Sequence, residues 1–140
     1  MLVTVQRAKG STFIGKGPSN HWVVLDTIKE FGGSEAGCKP MELLLIALGG
    51  CTAMDVESLL HKMHTPADDF KIEITSERSP KHPKVYTKIH MKFLFCGENL
   101  KENLIEKAVD LSQNKYCSVT AMLGKTAEIT NEILINPPDI

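Results

Sequence analysis

No two of the four cysteines stand in a Cys-x-x-Cys pair, and none shares a zinc-finger spacing with a histidine. A zinc-organised fold is therefore not indicated. Charge of one sign is also lacking: 16 basic and 17 acidic residues leave a formal net charge of −1. No basic run exceeds two residues, so the electrostatic footprint of a nucleic-acid binder is missing. Residues 1–5 read as a strand and lack the charged and long apolar regions of a signal peptide. The longest apolar run, residues 43–54, is bounded by Glu42 and Asp55 and is too short to span a bilayer. These absences together lead to the expectation of a cytoplasmic protein with no nucleic-acid and no membrane partner. In a reducing cytosol cysteines seldom form structural disulfides. Each cysteine is then either a buried apolar residue or a chemical one.

What is present supports a folded core. The 140 residues fit one domain, with 42% hydrophobic and 24% charged side chains. Chains of this size bury only about two-thirds of their surface, so oligomerisation would help. Residues 2–6, 12–16 and 21–26 are short β-type runs separated by turn residues, which suggests an antiparallel meander. Residues 31–37, rich in glycine, are expected to form a flexible loop. Pro40 opens a helix expected to run to about His64, where Pro66 stops it. Its first half is apolar on nearly every face, the pattern of a buried central helix.

Two alternating strands follow, around residues 70–75 and 85–95, joined as a hairpin through Pro80 and Pro83. Asn99 and Glu102 suggest a capping box for a helix over residues 100–113, burying Leu104, Ile105, Ala108 and Leu111. A short helix capped by Ser118 ends near Gly124, and residues 126–135 form a last strand. There is no internal repeat. This order is α+β rather than an alternating parallel fold.

Cys51 lies mid-helix after Gly49 and Gly50. Each glycine costs the helix roughly 1 kcal/mol relative to alanine, which points to close approach by a backbone or a ligand. The plainer alternative is a small core cysteine with glycines that permit packing. Cys51 is too far from the helix start for the macrodipole to acidify it, and Asp55, one turn on, would raise its pKa. Cys117 precedes a helix start, where free amides favour a thiolate; its alternative is a buried cysteine at a helix entry. Cys38 and Cys96 read as structural. His61 and His64 share a helix face but lack further ligands at matching spacing, so they read as a solvated helix terminus.

Pro40-Met41-Glu42-Leu43-Leu44, Gly50-Cys51-Thr52 and Lys115-Tyr116-Cys117-Ser118-Val119-Thr120 resemble the OsmC/Ohr family, the osmotically inducible and organic hydroperoxide resistance proteins. The wording is similar to the YhfA-like branch, and the likeness covers essentially the whole chain as a single domain, residues 1–140. The resemblance implies an α+β OsmC-like fold, with antiparallel sheets around a long buried central helix, and an intertwined homodimer with active sites at its interface. It implies that Cys51 attacks a hydroperoxide to become a sulfenic acid, and that Cys117 condenses with it to a disulfide. A thiol or dihydrolipoyl reductant then restores the pair, and no metal or organic cofactor is needed.

Two departures stand out. Peroxidase members of the family carry a glutamate directly after the proline; here that place is Met41, and the candidate catalytic glutamate is Glu42. One residue turns a helical side chain by about 100°. Those members also hold the thiolate with an N-terminal arginine. This chain has only Arg7 and Arg78, with Lys16 and Lys39 as point-charge alternatives. Three functions stay open: a thiol peroxidase for organic hydroperoxides and hydrogen peroxide, a non-enzymatic dimer binding or sensing a small apolar or thiol-reactive ligand, and metal binding through the cysteines and a histidine.

Overall fold

Gly10 adopts a left-handed backbone, φ 57°, and turns β1 (Thr4–Lys9) back onto β2 (Thr12–Lys16). β3 (Val23–Leu25) adds to β2, giving an antiparallel sheet in the order β1-β2-β3. This is the expected meander. The computed structural model describes residues 1–138 and forms two compact units, Met1–Ile46 and a second beginning at Ala47.

In the first unit the loop after β3 is organised rather than flexible. Asp26 is almost fully buried and its carboxylate accepts the amides of Thr27, Ser34 and Ala36 and the hydroxyl of Thr12, at 2.7–3.3 Å. The Thr27 amide is the main reason the carboxyl pKa lies below its ordinary value, with burial opposing and the other donors adding. A single-turn helix (Lys29–Phe31) sits inside this loop. Side chains would not fit everywhere in it: a methyl group at Gly33 would collide with the Thr27 carbonyl.

Helix α1 (Pro40–Lys62) opens as its proline suggests. Glu42 reaches back to the Lys39 amide at 3.0 Å, half of a capping box. Only Leu48, Thr52, Val56 and Leu60 of this helix are buried, a single stripe at i, i+4 spacing. Ile46 and Met54 remain 58% and 75% exposed, so the expected burial on all sides does not occur within one chain. The helix continues past the apolar run to Lys62, close to the expected end near His64. By length and composition alone its 23 residues would suffice to cross a membrane.

The second unit holds the core. β4 (Asp69–Arg78) and β5 (Tyr86–Cys96) form the expected antiparallel hairpin. Ile89, Met91, Phe93 and Phe95 point to one face of β5 and are fully buried. Phe95 stacks on Phe70 at 5.2 Å between ring centres. β6 (Glu128–Ile135) pairs with β5 in parallel, so the sheet β4-β5-β6 is mixed rather than antiparallel. The reason is the helical crossover before it, which returns the chain to the end where β5 began. That crossover begins with α2 (Glu102–Leu111), which buries Ile105, Ala108 and Val109. The expected Asn99/Glu102 box is not its cap: the helix is entered from Lys101, whose amide donates to the Thr65 hydroxyl at 3.3 Å.

Candidate functional site

The site is assembled where α2 ends. Its last turn widens into a π turn (Ser112–Tyr116), closed by the Cys117 amide donating to the Ser112 carbonyl at 2.8 Å. Such widened turns often lie at functional sites. Here the widening presents Ser112 and Gln113 toward α1. Cys117 then takes an extended backbone and α3 (Ser118–Leu123) begins. The expected cap was Ser118, but Ser118 is already helical. Cys117 is itself the cap, and its sulfur accepts the Thr120 amide at 3.4 Å.

Cys51, Asp55 and Cys117 come together: their sulfur and carboxylate atoms lie within 4.8 Å of one another. Cys117 is buried, and Cys51 is partly accessible. Thr52 donates its hydroxyl to the Cys117 sulfur at 3.5 Å and accepts the Gln113 side-chain amide at 3.0 Å. The Thr120 hydroxyl lies 3.3 Å from the Gln113 carbonyl oxygen. Ser112 donates to the Asp55 carboxylate at 3.0 Å. Buried Thr52 and Ser112 therefore have partners, as buried hydroxyls require.

These partners separate the two thiols. Burial pushes the Cys51 thiol up; the Val119 amide opposes this, while the nearby Cys117 sulfur and Asp55 carboxylate raise it further. Burial also acts against the Cys117 thiolate, but donors from Thr120 and Thr52, with Cys51 beside them, more than offset it. The Cys117 pKa lies below the ordinary thiol value. None of the largest causes of either shift is a basic side chain.

The other expected residues have partners of their own. Glu42 is held by Lys39, through its amide and at 3.1 Å through its ammonium. The Lys39 amide is the main cause of its depressed pKa, followed by the Lys39 ammonium. Arg78 donates to the Lys84 carbonyl in the β4–β5 hairpin, and Lys16 bonds Asn20 beneath the Trp22 ring. His61 pairs with Glu57 at 2.9 Å, and His64 lies beyond the helix end with φ 54°. Cys38 bridges to Leu25, and Cys96 ends β5 opposite Asp69.

Two sulfurs and one carboxylate are one donor short of the four that structural zinc sites use, and no histidine joins them among the described residues. Thr52 and Thr120 stand in the motifs quoted above without a role of their own, and Ser112 and Gln113 are not singled out by the sequence. Two of them had a signal: a threonine directly follows Cys51, and another lies three residues after Cys117, where a cap is answered. As for the double glycine, Gly49 does face a close neighbour, since a methyl there would stand 3.2 Å from Ile74. A methyl at Gly50 would meet nothing within 4 Å.

A family model described as OsmC-like protein matches residues 32–132. Protein YhfA of Escherichia coli strain K12 is 38% identical over 131 residues, covering 94% of this chain and 95% of that protein. A hypothetical protein from Aquifex aeolicus is 33% identical in its crystal structure, with a TM-score of 0.80 and 97% of each chain covered. The structure of an organic hydroperoxide resistance protein OsmC from Legionella pneumophila shares the fold at a TM-score of 0.72 and 10% identity, covering 95% of each chain.

Proposed function

The chain belongs to the OsmC-like protein family, and from that premise we propose that it is a cysteine-based peroxidase that reduces organic hydroperoxides and, less well, hydrogen peroxide. The observation that carries this reading is the placement of two thiols within 4.8 Å, one partly accessible and the other buried behind it. The Legionella neighbour is named for organic hydroperoxide resistance, which agrees with the substrate class.

Cys51 attacks the terminal oxygen of the hydroperoxide. The O–O bond breaks, the alcohol leaves, and Cys51 becomes a sulfenic acid. Cys117 attacks that sulfur, water leaves, and a disulfide joins the two residues. An external dithiol, of which a dihydrolipoyl group is one example, reduces the disulfide and closes the cycle. Glu42 belongs to this machinery only if it leaves Lys39; its work in the free chain is to cap α1.

The working form is a cytoplasmic homodimer of single-domain chains. The exposed apolar side chains of α1, Leu44, Ile46 and Met54, and the open space beside Gly50 support a second copy as their cover. A bilayer is the less fitting cover, because the helix also carries Glu42, Asp55, Glu57 and the buried stripe that packs within its own chain.

Cumene hydroperoxide added to the reduced protein is expected to consume two thiols per chain, and a dithiol-coupled assay to turn over far faster than Cys51→Ser. An unchanged thiol count would refute the peroxidase reading.

A further inference from the structure

The surroundings of the two sulfurs are not featureless. They are a chain of hydrogen bonds with a direction. The Gln113 side-chain amide donates to the Thr52 hydroxyl oxygen at 3.0 Å. That commits a lone pair of Thr52 and leaves its single proton to point at the Cys117 sulfur, 3.5 Å away. The Thr120 amide converges on the same sulfur at 3.4 Å. Two donors thus meet the buried Cys117 sulfur, whereas Cys51 has the Val119 amide, and the Asp55 carboxylate lies within 4.8 Å of both sulfurs.

We propose that Gln113 is a positioning residue that aims Thr52 at Cys117, so that the resting negative charge of the dithiol is held on Cys117, and that Cys117 accepts the Cys51 proton as Cys51 attacks. This rests on the peroxidase reading for its second half only. The proton balance is complete. Cys51 passes its proton to the Cys117 thiolate and its sulfur bonds the terminal peroxide oxygen. The O–O bond breaks, and the leaving alkoxide takes the proton from Cys117. Sulfur has lost two electrons and the peroxide has gained them. Cys117 is again a thiolate, ready to displace hydroxide from the Cys51 sulfenic acid.

Among the histidine, cysteine, aspartate and glutamate side chains of the described residues, Cys51 and Asp55, both on α1, gather with Cys117. The π turn contributes neutral Ser112 and Gln113, since Lys115 of that turn lies against the Tyr116 ring at 5.2 Å. From α3 come Thr120 and, toward Cys51, the Val119 amide. The two donors to the Cys117 sulfur, the Thr52 hydroxyl and the Thr120 amide, are thus neutral.

The test is the ultraviolet absorbance of thiolate against pH, in a Cys38→Ser/Cys96→Ser background. With Cys51→Ser added, the remaining Cys117 is expected to ionise below the ordinary thiol range. With Cys117→Ser instead, the remaining Cys51 ionises at or above that range. Gln113→Leu in the first background should move the Cys117 midpoint up by about one to two pH units, the scale of a hydrogen bond to a charged group. Thr52→Val should move it likewise, which guards against a misfolded Gln113 variant, and Gln113→Asn should restore part of the shift. A Cys51 that ionises below Cys117, or a Cys117 midpoint indifferent to both variants, would overturn the proposal. No peroxide enters these titrations, so a protein inactive toward hydroperoxides but with a low Cys117 midpoint would sink the peroxidase reading and leave the charge placement standing.

Discussion

The two units of this chain are held together by different means. Every buried apolar side chain among the described residues lies between Leu48 and Ala127, in the second unit. The first unit buries a carboxylate instead: Asp26 gathers a hydroxyl and three amides around itself. Its apolar residues, including Val5, Phe13, Trp22 and Val24, stay 39–60% exposed. A polar hub can order a loop, but it removes little apolar surface from water, which is the dominant driving force of folding. The second unit carries the apolar core, and the first keeps its large apolar side chains exposed. That contrast is what a second copy of the chain would resolve.

The contrast can be broken at several places. Phe93→Ala removes a fully buried ring stacked near Phe95 and is expected to cost about 3–5 kcal/mol in denaturant unfolding. A loss below 1 kcal/mol would mean that the core is not where the stability resides. Ile46→Asp puts a charge among the exposed apolar side chains of α1. Sedimentation should show self-association weakened at least about tenfold, or ~1.4 kcal/mol, with secondary structure unchanged. A dimer as tight as before would place the interface elsewhere.

Asp26 sharpens the comparison through pH. Its folded-state pKa is depressed, so its stabilising bonds are fully present above the unfolded carboxyl value and are lost as pH falls through the lower folded one. The protection factors of the amides of residues 27–36, taken against the intrinsic exchange rate at each pH, should therefore fall on acidification through that window, before those of β5 respond. Asp26→Asn should produce the same local loosening at neutral pH. Simultaneous exchange of both regions would show that the chain opens as one body. The smallest effect is expected at Lys88→Ala, which deletes an exposed 3.3 Å pair with Glu77. Its unfolding free energy should move by less than about 1 kcal/mol.

Much of the fold was legible because alternation and helix punctuation are local signals. The meander, Pro40 as the start of α1 and the β4–β5 hairpin all followed from them. Three features did not follow. The parallel pairing of β6 depends on the whole crossover rather than on the strand's own residues. The π turn at Ser112 leaves no compositional trace, yet it delivers Gln113 to Thr52. Asp26 was missed because its partners lie one, eight, ten and fourteen residues away, although an aspartate before a glycine-rich loop is a residue type that gathers backbone amides. At the candidate site, Cys51 and Cys117 stand out in the sequence and come together in the fold, while the contacts of Thr52 and Gln113 emerge only when α1 meets the end of α2.

The most direct measurement is peptide mass mapping after one equivalent of cumene hydroperoxide per chain. The expected result is a single cross-linked pair, Cys51 joined to Cys117, with Cys38 and Cys96 still free thiols. Cys51 and Cys117 both recovered as free thiols, or joined to other cysteines, would contradict a redox pair at this site.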